Sequence, residues 1–125
     1  MTAKGVLRII KWGEGSRLAF WCPGCKEIHH VKVEADGHAG PIWGFNGDYD
    51  RPTFTPSILV RSGHYLPEHK GPECWCTYNA KHPDQPRVFE CSVCHSFVRD
   101  GKIQFLGDCT HALAGKTVVL EAKGV

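Results

Sequence analysis

The sequence has no long apolar run: no stretch approaches the roughly 20 residues of a membrane span, and the N-terminus, MTAKGVLRIIKWGEG, lacks the apolar segment of a secretory signal. A soluble protein of the cytoplasm is expected. Charge of one sign is equally scarce, since 15 Lys and Arg against 13 Asp and Glu leave a net charge of +2. No broad cationic surface follows, so charge alone does not indicate nucleic acid. Internal repeats and charge blocks are also missing. What the chain does have is cysteine, 7 in 125 residues. An odd count without a signal segment argues against a complete disulfide framework and for metal. With 42% hydrophobic residues, one zinc-stabilised domain over 1–125 is expected, its modest core supplemented by metal cross-links.

The clearest local signal is Asp100-Gly101 between two alternating apolar runs, a type I′ hairpin turn that needs φ > 0 at both central positions. A two-residue loop sets Arg99 opposite Lys102, Val98 opposite Ile103, Ser96 opposite Phe105 and Cys94 opposite Gly107. If the strand persists past Gly107, Cys109 joins the face of Cys94, and His95, Phe97, Leu106 and Asp108 share the other. The next segment, Asp108-Cys-Thr-His-Ala-Leu-Ala-Gly115, reads as a short C-terminal helix with Asp108 or Thr110 as its cap and Gly115 as its end.

Nearer the N-terminus, GVLRIIKW and RLAFW read as a hairpin that runs into Cys22-Pro-Gly-Cys25. This spacing is that of a zinc knuckle, and the alternating HHVKVE after it is a strand rather than the helix of a redox C-x-x-C. His29 either adds a third ligand or simply begins that strand. Asp36 to Gly47 is turn-rich with a short aromatic strand, Ile42 to Phe45. Pro52 and Pro56 suggest that Arg51 to Ser57 runs along an edge or as extended loop before a strand over Ile58 to Arg61. Trp43, Phe45 and Phe54 are expected in the core rather than around a pocket. An insertion at about 63–90 shows no helical or strand period. Cys74-Trp-Cys76, a 14-residue spacer and Cys91-Ser-Val-Cys94 form a paired-thiol pattern able to close a tetrahedral site. His82, His64 or His69 could replace one of these thiols.

FWCPGC, PTFTPSILVR and CHSFVRDGKIQFLGDCTHALAGKTV resemble a family of small phage and bacterial zinc-binding proteins of unknown function, some labelled ammonia monooxygenase without support. The resemblance covers most of the chain and carries over Cys22, Cys25, Cys94, His95, Asp108, Cys109 and His111. Relatives with a shorter middle lack counterparts of Cys74, Cys76 and Cys91, which implies that the knuckle meets the C-terminal block and the insertion is an elaboration. Some relatives lie near bacterial ubiquitin-like genes, a neighbourhood that names no reaction. If this chain is phage-encoded, its compartment is the host cytoplasm.

Two ligand sets then compete. By spacing, Cys74, Cys76, Cys91 and Cys94 hold one ion, and Cys22 and Cys25 join two of His95, Cys109 and His111. By the family core, Cys94 joins Cys22, Cys25 and either Cys109 or His111, while the insertion uses His82 or water. Both imply one or two zinc ions in a mainly β domain built from hairpins. Thiolate-rich closed sites are usually structural, so the leading expectation is a non-enzymatic zinc-binding module acting through a protein partner. The alternative is a zinc-dependent hydrolase with an open metal position near Asp108 and His111, in which His111 or His95 is a ligand and Asp108 is the general base or orients a ligand His. A nucleic-acid-binding zinc ribbon using Trp75, Tyr78, Lys81 and Arg87 is weaker. Under the module expectation, Asp108→Asn keeps the cap and preserves function.

Overall fold

In the computed structural model, which describes residues 2–122, two antiparallel sheets share one core. The first is a meander of β1 (Thr2–Lys4), β2 (Leu7–Trp12), β3 (Gly15–Cys22) and β4 (Glu27–Lys32). The second follows in chain order as β5 (Gly44–Phe45), β6 (Phe54–Ser62), β7 (Ser92–Arg99), β8 (Lys102–Phe105) and β9 (Thr117–Val119). The mainly β expectation holds. Leu7, Leu18, Phe20 and Val31 from the first sheet bury against Phe54, Ile58, Val98, Ile103 and Phe105 from the second. Phe54 links them, with its ring stacked at 6.3 Å from Phe20 and 5.3 Å from Phe45. The aromatic residues therefore fill core, as their alternation implies.

The Asp100-Gly101 hairpin has the expected register, Arg99 opposite Lys102 and Val98 opposite Ile103, with φ of 49° and 76° at the two turn residues. Past Phe105 the expectation fails. The chain leaves the ladder and turns through Gly107 and Asp108, and residues 108–115 form turns rather than a helix. Asp108 is thus no helix cap. The short helix, α1 (Trp75–Lys81), lies in the insertion, where no period announces it. Its start is held by a capping box in which cysteine replaces the usual hydroxyl residue: Cys74 N–H donates to Thr77 Oγ1 at 3.2 Å, and the Cys74 thiol meets the same oxygen at 3.6 Å. A 3₁₀ turn, Gly63–Tyr65, opens the insertion.

Nor does the proline-rich segment run along an edge. β6 sits between β5 and β7, and Pro56 falls where the β6–β7 register shifts between Phe54 and Ile58, so the missing donor lands where the ladder is already broken. No helix among the described residues is long and apolar enough to cross a membrane.

A β-carbon on Gly101 would sit 3.1 Å from Arg51 Cα and 3.3 Å from Asp50 O, in addition to the strain at φ 76°. Gly101→Val is expected to cost about 2 kcal/mol or more, since left-handed strain alone costs on the order of 1–3 kcal/mol. A urea melt measures it, with an unchanged midpoint as the contrary result.

Candidate functional site

Three chemical groupings emerge, two of thiols and one around His95. β3 ends at Cys22, and the Cys22-Pro-Gly-Cys25 turn leads into β4, with Lys26 N–H donating back to Cys22 O at 2.8 Å. This turn meets Cys94 of β7 and His111 of the C-terminal turns, so that Cys22, Cys25, Cys94 and His111 offer four ligand atoms within 4.8 Å of one another. Cys22 and Cys94 are buried, their sulfurs 3.9 Å apart. A tetrahedral ion with bonds of about 2.3 Å would set two sulfurs roughly 3.8 Å apart. His111 Nε2 is buried with no hydrogen-bond partner, and its Nδ1 accepts from Leu113 N–H at 3.2 Å, a contact that an ion on either nitrogen would have to rearrange. The thiols also compete for protons: hydrogen bonding to Cys25 and Cys94 pulls Cys22 far below the ordinary thiol range, while Cys25 is pushed up to about 12, chiefly by Cys22. Cys94 is driven upward for the same reason.

The second tetrad is His64, Cys74, Cys76 and Cys91, likewise within 4.8 Å. His64 N–H donates to Cys91 Sγ at 3.4 Å, and its ring lies 3.8 Å from Cys76 Sγ. The Thr77 main chain at the start of α1 lowers Cys74 to about 5, and contact with Cys74 in turn raises His64. The spacing argument had grouped Cys91 with Cys94. In extended chain, residues three apart point to opposite sides, so the two thiols serve different clusters. His64, named in the sequence only as one possible substitute, completes the insertion's set, and His82 instead stacks on Tyr78.

Neither His95 nor Cys109 joins a tetrad, contrary to their expected metal roles. Cys109 is buried against the main chain of His95. His95 points to the outer face of the second sheet, where its Nδ1 is 3.1 Å from Asp108 Oδ2 and its Nε2 is 3.1 Å from Ser57 Oγ. The fold brings this about simply. Leu59 pairs with His95, which places Ser57, two residues away on the same face of β6, diagonally beside the imidazole. The register shift before Ile58 frees Ser57 from regular pairing, and Trp43 Nε1–H fixes its carbonyl at 3.2 Å. The turn after β8 returns Asp108 over the ring. With its proton on Nδ1 directed at Asp108, Nε2 accepts from the Ser57 hydroxyl. Asp108 thus faces His95 rather than His111, so the open-metal arrangement is not the one assembled.

The sequence reading paired His95 and Asp108 on one face but missed Ser57. A serine beside the imidazole could have been sought only with the β6–β7 pairing in hand, and a long insertion hides that pairing.

The chain matches a family model described as "Bacterial ubiquitination-like system serine protease (BubE)" over residues 1–106. That range includes Ser57 and His95 and stops two residues short of Asp108. No curated protein and no solved structure matches. The match corrects the assignment to a zinc-binding family of unknown function. It also overturns the non-enzymatic module and, with it, the nucleic-acid ribbon, because a protease family is a hydrolase family; the hydrolase alternative was nearer, though its mechanism was placed on a metal. A model covering most of the chain identifies it as a member of the BubE family of bacterial ubiquitination-like system serine proteases.

Proposed function

We propose that the protein is a serine hydrolase that cleaves an acyl bond of a polypeptide, with Ser57 as nucleophile, His95 as general base and Asp108 orienting His95. The carrying observation is the relay itself, two contacts of 3.1 Å on either side of one imidazole. Ser57 Oγ attacks the carbonyl carbon as its proton passes to His95 Nε2. The imidazolium formed is stabilised by Asp108, and the same proton is then delivered to the leaving amine. Water, activated by His95, hydrolyses the acyl-enzyme and restores Ser57. Asp108 is 55% exposed, so water screens its charge, and it acts chiefly by fixing the tautomer and the ring orientation. The chain order, serine, histidine, aspartate, is immaterial, because such triads are defined by geometry. The protein partner is then the substrate polypeptide.

Zinc suits both tetrads, three thiolates and one imidazole in each. Every position would be filled by a side chain, so zinc here supplies cross-linking: Cys22, Cys25, Cys94 and His111 tie the knuckle to β7, and His64, Cys74, Cys76 and Cys91 close the insertion.

On a chromogenic ester such as p-nitrophenyl acetate, Ser57→Ala should reduce kcat by about 10³-fold or more. Asp108→Asn should reduce it by roughly 10²- to 10⁴-fold with fold and metal intact, reversing the preservation of function expected of a helix cap. Turnover unchanged in either variant would remove its residue from the mechanism.

Metal analysis should find about two zinc ions per chain, and chelation should lower the melting temperature. A β-carbon on Gly24 would come within 2.3 Å of His111 Cε1. Gly24→Ala should therefore release about one of the two ions and cost about 1–3 kcal/mol, while full metal retention and an unshifted melt would contradict the proposed ligand set.

A further inference from the structure

Cys109 is only 9% exposed and belongs to neither tetrad. Its sulfur accepts a hydrogen bond from the His95 main-chain N–H at 3.2 Å, and its S–H donates to the His95 carbonyl, also at 3.2 Å. The reason lies in how the ladder ends. Ser96 still pairs with Phe105 in the regular β7–β8 register, and Leu106 N–H donates to His95 O at 2.9 Å. There the chain turns back, with Cys109 N–H donating to Leu106 O at 3.2 Å. A continuing β8 would give the His95 N–H a carbonyl, but it would carry residue 108 away along the strand. The turn puts Asp108 over the imidazole and orphans that N–H, an expensive loss if unrepaired. The thiol repairs it. Thr110 then rejoins β7, its N–H donating to Val93 O at 2.9 Å and its Oγ1 accepting from Val93 N–H at 3.0 Å.

We propose that Cys109 is a positioning residue for the hydrolytic site, its thiol clamping the main chain of His95 within the turn that carries Asp108, so that base and orienting carboxylate are set against Ser57 together. This rests on the Ser57, His95 and Asp108 reading. Small misplacements of such a base are costly, an error of about 1 Å being worth up to roughly 10²-fold in rate. Serine at 109 keeps one donor and one acceptor. Valine fills similar space with neither.

The test uses the full-length, zinc-loaded protein and a fluorophosphonate probe, with kinact and KI measured for wild type, Ser57→Ala, Cys109→Val and Cys109→Ser. Cys109→Val should lower kinact about tenfold or more, leaving KI and zinc content unchanged, and Cys109→Ser should restore it to within about threefold of wild type. A Cys109→Val protein labelled at the wild-type rate would overturn the proposal, as would a Cys109→Ser protein as slow as Cys109→Val. Loss of zinc together with labelling in Cys109→Val would also overturn it, by making the thiol a structural element. The underlying reading fails separately, if wild type is not labelled or if labelling survives Ser57→Ala.

Discussion

The proposed catalytic relay depends on the pairing of β6 with β7. Leu59 opposite His95 and Ile58 opposite Ser96 fix which serine lies diagonally beside the imidazole, and a slip of one residue would turn Ser57 to the core side. Core packing enforces the register. Ile58, Ser96 and Val98 point inward and are buried, while Ser57, Leu59, His95 and Phe97 face out. Hydrophobic burial on one face thus sets the chemistry on the other. The register shift between Phe54 and Ile58 falls beside Ser57, in keeping with the recurrence of bulges beside active sites, where they re-aim a side chain.

The two thiol tetrads flank this arrangement at its ends. Cys94 and His95 are consecutive on β7, so the thiol that meets the knuckle lies next to the proposed base and points the opposite way. The insertion connects β6 to β7 directly, and its tetrad draws His64 from just beyond the end of one strand and Cys91 from just before the start of the other. An ion there would close a long loop whose entropy otherwise opposes the pairing. The candidate metal sites and the proposed triad are therefore separate in chemistry and joined in mechanics. The proposed hydrolytic face is open, with the His95 side chain 26% exposed beside the exposed Leu59. An extended polypeptide lying across it would exclude water from the relay and strengthen its electrostatics.

How much of this was legible in the sequence depended on sequence distance. The Asp100-Gly101 hairpin, the knuckle and strands β2 to β4 are local, and turn residues with alternating apolar positions specify them, whereas β1, the three residues before the Gly5 turn, carries no such signal. The joint facing of His95 and Asp108 followed from the same hairpin, though for a reason that failed: the strand was expected to continue, whereas the turn at Gly107 and Asp108 delivers the carboxylate. α1 went unseen because cysteine stands in for serine or threonine in its cap. Cys91 and Cys94 were grouped by spacing, and the strand geometry that separates them appears only once β7 is known to be extended there. Ser57 was invisible for the strongest reason, since nothing local distinguishes a serine after proline from any other until its strand is paired across the insertion.

The most direct measurement is peptide mapping by mass spectrometry of the zinc-loaded protein after reaction with a fluorophosphonate. The account predicts a single adduct on the peptide containing Ser57, abolished by prior denaturation of the protein. An adduct on another residue, or equal modification of native and denatured protein, would contradict a nucleophile activated by His95.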